Sequence, residues 1–573
     1  MKNNAVRWLY AVPGRKKLYI LALMLVQALY GASGVLYALL LRNIVDSAVN
    51  RDGAGFQRNV ILTVLLVLGQ IALLAVIRRL TELSKSTFEN LFKARLMQNI
   101  LRRDYARVSA VHSGEWLNRL TNDTVVAAES YVDILPGLTG MVVKLISAVV
   151  MIIALDPGLA LMLLPCGAVL LILTYVFRKS LKKLHKNVQE KDGSLRIFMQ
   201  ERIGSLMLLR SYGAENQTMR AADEKMAAHK AARMRRNRFS NLCNAGFGIA
   251  MHGMYLFGVC WCGYGILLGT VTYGTLTAVT QLIAQIQSPF ANITGYLPRF
   301  YAMTASAERL AEIEAFEDDS AQDVLSAAET AQFYEETLLS FGLENADFTY
   351  YPPCDGDSGL TKQEMPVVLR RMTAEIRKGE YVAFTGHSGC GKSTVLKLLM
   401  CIYRLDGGAC FLNTADGRQA MTPQYRRLFA YVPQGNQLMS GTVREIVAFA
   451  EPDAMHDQER LQRALKIACA DEFVSELEHG ADTLLGERGT GLSEGQMQRI
   501  AIARAIFSGC PVLLLDESTS ALDAETEARL LRNLRKMTDK TVIIVTHRPA
   551  ALDICDRVLE FTENGVTEKN GKA

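Results

Sequence analysis

The sequence predicts a multidomain chain: an all-α bundle of six membrane-crossing helices with long helical extensions outside the bilayer, then an α/β domain built round a phosphate-binding loop. Three observations predict it. Half of the 573 residues are hydrophobic and only 21% are charged, with mean hydropathy +0.11, and the apolar residues crowd into the part before about residue 305. Two long loops rich in Lys and Arg interrupt that apolar part. Beyond it, the glycine-rich stretch GHSGCGKST, Gly386 to Thr394, follows a short apolar run (Tyr381 to Thr385) and opens into the helix-like Val395 to Met400.

Taken in order, residues 1 to 17 carry Lys2, Arg7, Arg15, Lys16 and Lys17 beside Trp8 and Tyr10, a composition suited to the cytoplasmic interface of a bilayer. Leu18 to Leu41 is apolar over more than the roughly 20 residues that a span needs, and a cleaved signal would have a shorter apolar core. Further spans are expected near Val60–Ile77, Leu138–Leu155, Gly158–Phe177, Ala245–Leu268 and Leu276–Leu297. The loops Arg78–Asp133 and Arg178–Asn241 hold many Lys and Arg, whereas Asp156-Pro157 and Gly269–Gly274 hold none, which places both long loops in the cytoplasm. Each is long enough to run out from the bilayer and back as a helical hairpin, at about 1.5 Å per residue. The turns should fall near His112–Glu115 and Ser211–Glu215, where they could touch a cytosolic domain. Inside the spans, Lys144 and a stripe at helical spacing, Gln281, Gln285, Ser288 and Asn292, are expected to face a translocation path or to bond neighbouring helices. These readings place the transmembrane domain at residues 1–315, an acidic linker at 316–337 and the soluble domain at 338–573, which contains an exposed insertion near Pro352 to Met365.

A glycine loop between a strand and a helix turns successive N–H groups and the helix N-terminus toward one anion. Gly386, Gly389 and Gly391 allow that bend, Lys392 adds a positive charge, and the Ser393 hydroxyl can ligate a Mg²⁺ held by nucleotide phosphates. Pro511 to Glu517 reads as a buried strand ending in two carboxylates; Asp516 would hold the hydrated metal and Glu517 orient or deprotonate the attacking water. Another strand, Thr541 to Thr546, delivers His547 to the same edge. Cys390 sits inside the loop near a helix N-terminus, which favours a thiolate, although a small loop residue needs no such role. Seven of the eleven cysteines lie in the ATP-binding half, which must face the cytosol to meet ATP, so they are read as reduced thiols. The net charge of +5 comes without a basic tail or aromatic-interleaved basic face, so nucleic acid is not an expected partner.

Tyr431-Val432-Pro433-Gln434, Leu492-Ser493-Glu494-Gly495-Gln496 followed by Gln498-Arg499, Leu515-Asp516-Glu517, Ser520-Ala521-Leu522-Asp523 and Thr546-His547 stand in an order that resembles the nucleotide-binding domain of ABC transporters. With Leu485-Gly486-Glu487-Arg488-Gly489 and the six spans, the whole chain resembles an exporter-type half-transporter of that family. The resemblance implies ATP and Mg²⁺ as cofactors and assigns roles. Tyr350 would stack on adenine, and Gly386, His387, Ser388, Gly389, Cys390, Gly391, Lys392, Ser393 and Thr394 would bind the phosphates. Ser393, Gln434 and Asp516 would hold the metal, with Gln434, Glu517 and His547 acting in hydrolysis. Ser493, Gly495 and Gln496 would bind the ATP on a second half-transporter, and the hairpin turns would act as coupling helices. The implied protein is a multi-pass plasma- or inner-membrane ATPase, dimeric, with its nucleotide-binding domain in the cytoplasm, exporting a substrate that the sequence does not identify. Import by the same architecture, and a non-transporting membrane ATPase, are the alternatives. Two departures from the family pattern stand out: Glu494 replaces the usual glycine of the signature, and the 352–365 insertion is long. A deviant signature beside an intact Glu517 leaves homodimer and heterodimer both open.

Overall fold

The computed structural model describes residues 2–319, 324–352, 362–435, 438–486, 491–562 and 565–570. Most of the insertion, part of the linker, the stretch 487–490 of the pre-signature motif, and the side chains of Ser288 and Asn292 lie outside the described residues. The chain divides into two compact units, residues 1–94 with 121–311, and residues 95–120 with 312–573.

The first unit is helical. Its helices are α1 (Lys2–Ala11), α2 (Leu18–Val49), α3 (Gly53–Arg102, which runs on into the second unit), α6 (Thr124–Leu155), α7 (Pro157–Gly204), α8 (Leu206–Ser211), α9 (Glu215–Leu267) and α10 (Tyr273–Glu312). Between α3 and α6 the chain forms the short helices α4 (Tyr105–Ala110) and α5 (Ser113–Asn118), which belong to the second unit. Among the described residues, Gly14–Val49, Gly53–Arg102, Ser113–Leu155 and Glu215–Leu267 are long and apolar enough to cross a membrane. The helices continue well past the apolar stretches, because hydropathy marks the immersed part whereas a helix stops where its backbone is capped or turned. α2, for example, ends just before Arg51, which has φ +54°. The basic N-terminal segment is anchored rather than free: Trp8 is buried, with its ring centroid 5.1 Å from that of Phe92.

Polar groups in this unit bond across helices. Gln285 Nε2 donates to the Gly34 carbonyl at 2.6 Å, Gln287 Nε2 to Met251 O at 3.0 Å, and Gln70 Nε2 to Ser33 Oγ at 3.0 Å. Of the predicted stripe, Gln285 is thus a helix-to-helix tie while Gln281 is exposed. At residues 123 and 306–309 a buried carboxylate is fully engaged. Asp123 keeps 0% of its surface and accepts from Arg309 Nε at 2.7 Å, Arg309 Nη2 at 2.5 Å and Ser306 Oγ at 2.9 Å.

The second unit is α/β. A four-stranded sheet has the order β2 (Val367–Arg377), β1 (Leu338–Thr349), β4 (Gly407–Thr414), β5 (Gly417–Ala420), with every neighbouring pair antiparallel. A six-stranded sheet has the order β12 (Gly565–Asn570), β11 (Arg557–Thr562), β3 (Tyr381–Thr385), β10 (Thr541–Val545), β9 (Val512–Asp516), β6 (Phe429–Val432), parallel throughout except for the β12 edge. A small ribbon pairs β7 (Gly441–Thr442) with β8 (Leu484–Leu485). Helices α12 (Lys392–Leu399), α13 (Val443–Val447), α14 (Gln458–Ile467), α15 (Asp471–Glu476), α16 (Glu494–Phe507), α17 (Ala524–Arg535) and α18 (Pro549–Leu552) complete it. β9 and β10 are buried at every position, which is why they read as continuous apolar runs rather than alternating ones. The linker is partly structured: α11 (Ala327–Gln332) starts at a Ser326–Glu329 capping box, and the buried Tyr334 shares a 2.8 Å hydrogen bond with Thr541.

The Asp123 site generates a stability prediction. Arg309→Ala leaves a fully buried carboxylate without its guanidinium, so we expect a loss of about 3 kcal/mol. Arg299→Ala removes only a 3.5 Å contact from a side chain that is 59% exposed, and should cost under about 1 kcal/mol. Thermal melting of the two purified variants checks the order; equal midpoints would refute it.

Candidate nucleotide site

Strand register assembles the site. Phe384, Val545 and Asp516 stand level across β3, β10 and β9, and Val432 of β6 stands level with Leu515. The phosphate loop after β3, Thr546-His547 after β10, Glu517 after β9 and Pro433-Gln434 after β6 therefore leave the sheet side by side, at the carboxyl edge where ligands of open parallel sheets bind.

The loop has the backbone that its glycines were expected to allow, with φ +127° at Gly386, +85° at Gly389 and +94° at Gly391. At Gly386 a Cβ would also lie 2.3 Å from the Phe561 carbonyl, so space as well as conformation demands glycine. Lys392 is buried and folds back over the loop, with Nζ donating to Gly386 O at 2.6 Å and His387 O at 2.9 Å. Phosphate oxygens can replace those neutral acceptors. His387, Ser388 and Gly389 are exposed at the loop tip, while Cys390 is buried with Sγ 3.7 Å from Lys392 Nζ.

Asp516, 1% exposed, accepts from Ser393 Oγ on Oδ1 and from Tyr431 Oη on Oδ2, both at 2.9 Å. Burial beside this carboxylate pushes the Tyr431 phenol far above its ordinary range, so it stays a neutral donor. Glu517 is reached by Gln434 Nε2 at 2.6 Å and has φ +49°, a conformation that costs a non-glycine residue roughly 1–3 kcal/mol. Strain at the candidate water-activating carboxylate is thus part of the site. A hydroxyl, a carboxylate and an amide oxygen are hard donors that suit Mg²⁺, and no cluster of three or more His, Cys, Asp or Glu occurs among the described residues. Such an oxygen-only set suits an ion completed by phosphates and water. Ser393, Asp516 and the Gln434 amide oxygen are the residues that would hold it.

Tyr350, directly after β1, bonds Thr394 Oγ1 at 2.9 Å through its hydroxyl, and burial raises its phenol pKa. Its ring packs edge-on against Phe348 and Tyr403, and Tyr403 packs edge-on against Tyr105 of α4, centroids 5.6 Å apart. The first hairpin turn thus lies against the same unit, one ring removed from the candidate adenine platform. Arg107 extends the contact by stacking over Tyr351 at 5.1 Å.

Ser493, Gly495 and Gln496 occupy the start of α16. Ser493 caps it, and Gln496 closes a capping box, its Oε1 2.8 Å from Ser493 N. Glu494 is exposed in the first turn, where the helix dipole favours a carboxylate. Gln498 then ties this helix to the segment after Glu517, donating to Ser520 Oγ at 3.2 Å and accepting from Ala521 N at 3.1 Å. Arg548, next to the exposed His547, holds the same segment through Ser520 O at 2.7 Å and Leu522 O at 3.0 Å. Sequence reasoning gave Tyr431, Gln498 and Arg548 no role; the quoted motifs contain or adjoin all three, but only strand register shows what they reach.

Comparison with known proteins agrees with this architecture. The model of the ABC transporter transmembrane region matches residues 18–290, and a second model, described as ABC transporter, matches residues 369–520. Leukotoxin translocation ATP-binding proteins LktB of Mannheimia glucosida, Mannheimia haemolytica and Bibersteinia trehalosi are each 29% identical over 374 residues, 65% of this chain. The matched stretch spans half the length of those relatives. In three dimensions, the structure of a bacterial Atm1-family ABC exporter with ATP bound superposes with a TM-score of 0.79 at 20% identity, covering 97% of this chain and 96% of the other. A helical transmembrane region and an ATPase domain, both matched in one chain in this order, make it a member of the ABC transporters, with the fold and domain order of the Atm1-family structure.

Proposed function

We propose that the chain is one half of a dimeric exporter, in which ATP binding and hydrolysis at Gly386–Thr394 drive a substrate across the cytoplasmic or inner membrane. The observation that carries this is the convergence of Lys392, Ser393, Asp516, Gln434 and Glu517 at one sheet edge. ATP would bind with its phosphates in the loop and its adenine on Tyr350. Mg²⁺, when bound, supplies charge neutralisation on the phosphates. Glu517, steadied by Gln434, is the general base for water, with His547 alongside.

The α16 N-terminus at Ser493–Gln496 is a ready-made anion site, and in this reading it serves the ATP held by a second half, either the same chain or a related one. The bond from Gln498 to the segment after Glu517 then makes closure of that dimer felt at the hydrolytic carboxylate. Differential binding of ATP to the closed state does the work, and hydrolysis releases it.

In the assembled dimer in lipid vesicles, Glu517→Gln should keep nucleotide binding while ATP turnover falls at least about a hundredfold; unchanged turnover would remove Glu517 from the mechanism. The nucleobase contact has its own test. Tyr350→Leu should weaken binding of a fluorescent ATP analogue roughly tenfold, in line with stacking worth about 1–3 kcal/mol per base, whereas Tyr350→Phe should retain most of it. Equal affinity in all three proteins would exclude stacking.

A further inference from the structure

We infer that Tyr431 is a positioning residue of the metal site, its phenol fixing the carboxylate plane of Asp516 and fastening β6, which leads to Gln434, to β9, which leads to Glu517. This rests on the reading that Ser393 and Asp516 hold Mg²⁺.

A carboxylate has two oxygens and a soft terminal torsion, so one hydrogen bond leaves it free to rock. Here each oxygen has its own donor, Ser393 on Oδ1 and Tyr431 on Oδ2, both at 2.9 Å. The two donors come from different elements, the start of α12 and β6. Their agreement defines one plane.

Register explains why the residue is tyrosine. Tyr431 stands opposite Leu514, two residues short of Asp516. At about 3.3 Å per residue the side chain must reach forward some 6.5 Å, about the length of a tyrosine from Cα to hydroxyl. Serine, threonine or asparagine falls short, and phenylalanine arrives without a donor.

A second tie lies further along the same pair of chains, where Gln434 donates to Glu517 Oε2 at 2.6 Å. The metal-site carboxylate and the candidate base are therefore both held from the β6 chain, at positions three residues apart on one side and adjacent on the other. Displacement of Gln434 draws on the strand that Tyr431 anchors, so the phenol sets Asp516 against such movement.

The test uses the full-length protein carrying Glu517→Gln, so that nucleotide is retained without turnover. The readout is the melting midpoint in ATP as Mg²⁺ is titrated, alongside ATP with EDTA. Tyr431→Phe should leave the metal-free ATP shift unchanged and raise the Mg²⁺ concentration for half-maximal stabilisation roughly tenfold, the loss expected for one hydrogen bond to a charged group. Asp516→Asn should raise it at least as far, and the double variant should go no further than Asp516→Asn alone, because the phenol acts through that carboxylate. Each variant's shift is read against its own unliganded melting temperature, so a general loss of stability does not by itself mimic the result. If Tyr431→Phe leaves the midpoint in place while Asp516→Asn moves it, the positioning role is overturned and the metal reading stands. If Asp516→Asn leaves it in place, the metal reading falls and takes this inference with it.

Discussion

Asp516 is a carboxylate at 1% exposure, and the α/β unit is arranged around keeping it there. An unpaired buried charge costs several kcal/mol, and among the described residues Asp516 takes part in no ion pair. Its partners are two neutral hydroxyls. The nearby ammonium of Lys392 is turned to the carbonyls of Gly386 and His387 instead. Hydrogen bonds alone only partly offset the desolvation of such a charge, so the site stays short of positive charge at its base. In the proposed reading, a divalent cation carried in by a triphosphate would supply that charge, and Lys392 would meet the phosphates that bring it.

The sheet makes this arrangement affordable. Five parallel strands are hydrogen-bonded into one register, and three of them end level, so the loops that follow inherit a fixed spacing. Positive φ then collects at that edge, at little cost at Gly386, Gly389 and Gly391 but as strain at Glu517, which the rigid strand before it over-determines. A looser scaffold would relax Glu517 out of φ +49° and lose its alignment with Gln434. The strain is small beside the burial of β3, β9 and β10, whose side chains are almost wholly removed from water.

What was legible in the sequence follows the same division. The loop, the carboxylate pair and the strands beneath them were readable, because continuous apolar runs and glycine punctuation are local signals. Tyr431 was not, although it stood in a quoted motif: its role depends on which residue of β9 lies opposite, and pairing register is not a local property. The stripe on α10 was legible only as two alternatives. Its spacing placed Gln281 and Gln285 on one face, yet spacing cannot say what that face meets, and Gln285 turns out to bond the Gly34 carbonyl of α2. The spans marked by hydropathy are shorter than the helices for a third reason, since hydropathy reports the solvent while backbone capping sets the length.

The two hairpin turns pose different physical problems. The first buries its own core: Trp116 is 7% exposed with Nε1 donating to Val108 O at 2.9 Å. Its outer face is satisfied within the ATPase unit, by Tyr105 on Tyr403 and by Arg103 bonding Phe316 O at 2.8 Å. Edge-to-face rings are directional, so an adenine stacked on Tyr350, as proposed, would bear on Tyr403, and Tyr403 on the turn. Among the described residues, the second turn has no such closure within its own unit. Met207 and Tyr212 are 89% and 79% exposed, with Ile203 and Leu208 bare beside them. A cluster of apolar side chains on a solvent-side turn is a contact surface waiting for another body. In the proposed dimer, a second half would be the body that covers it.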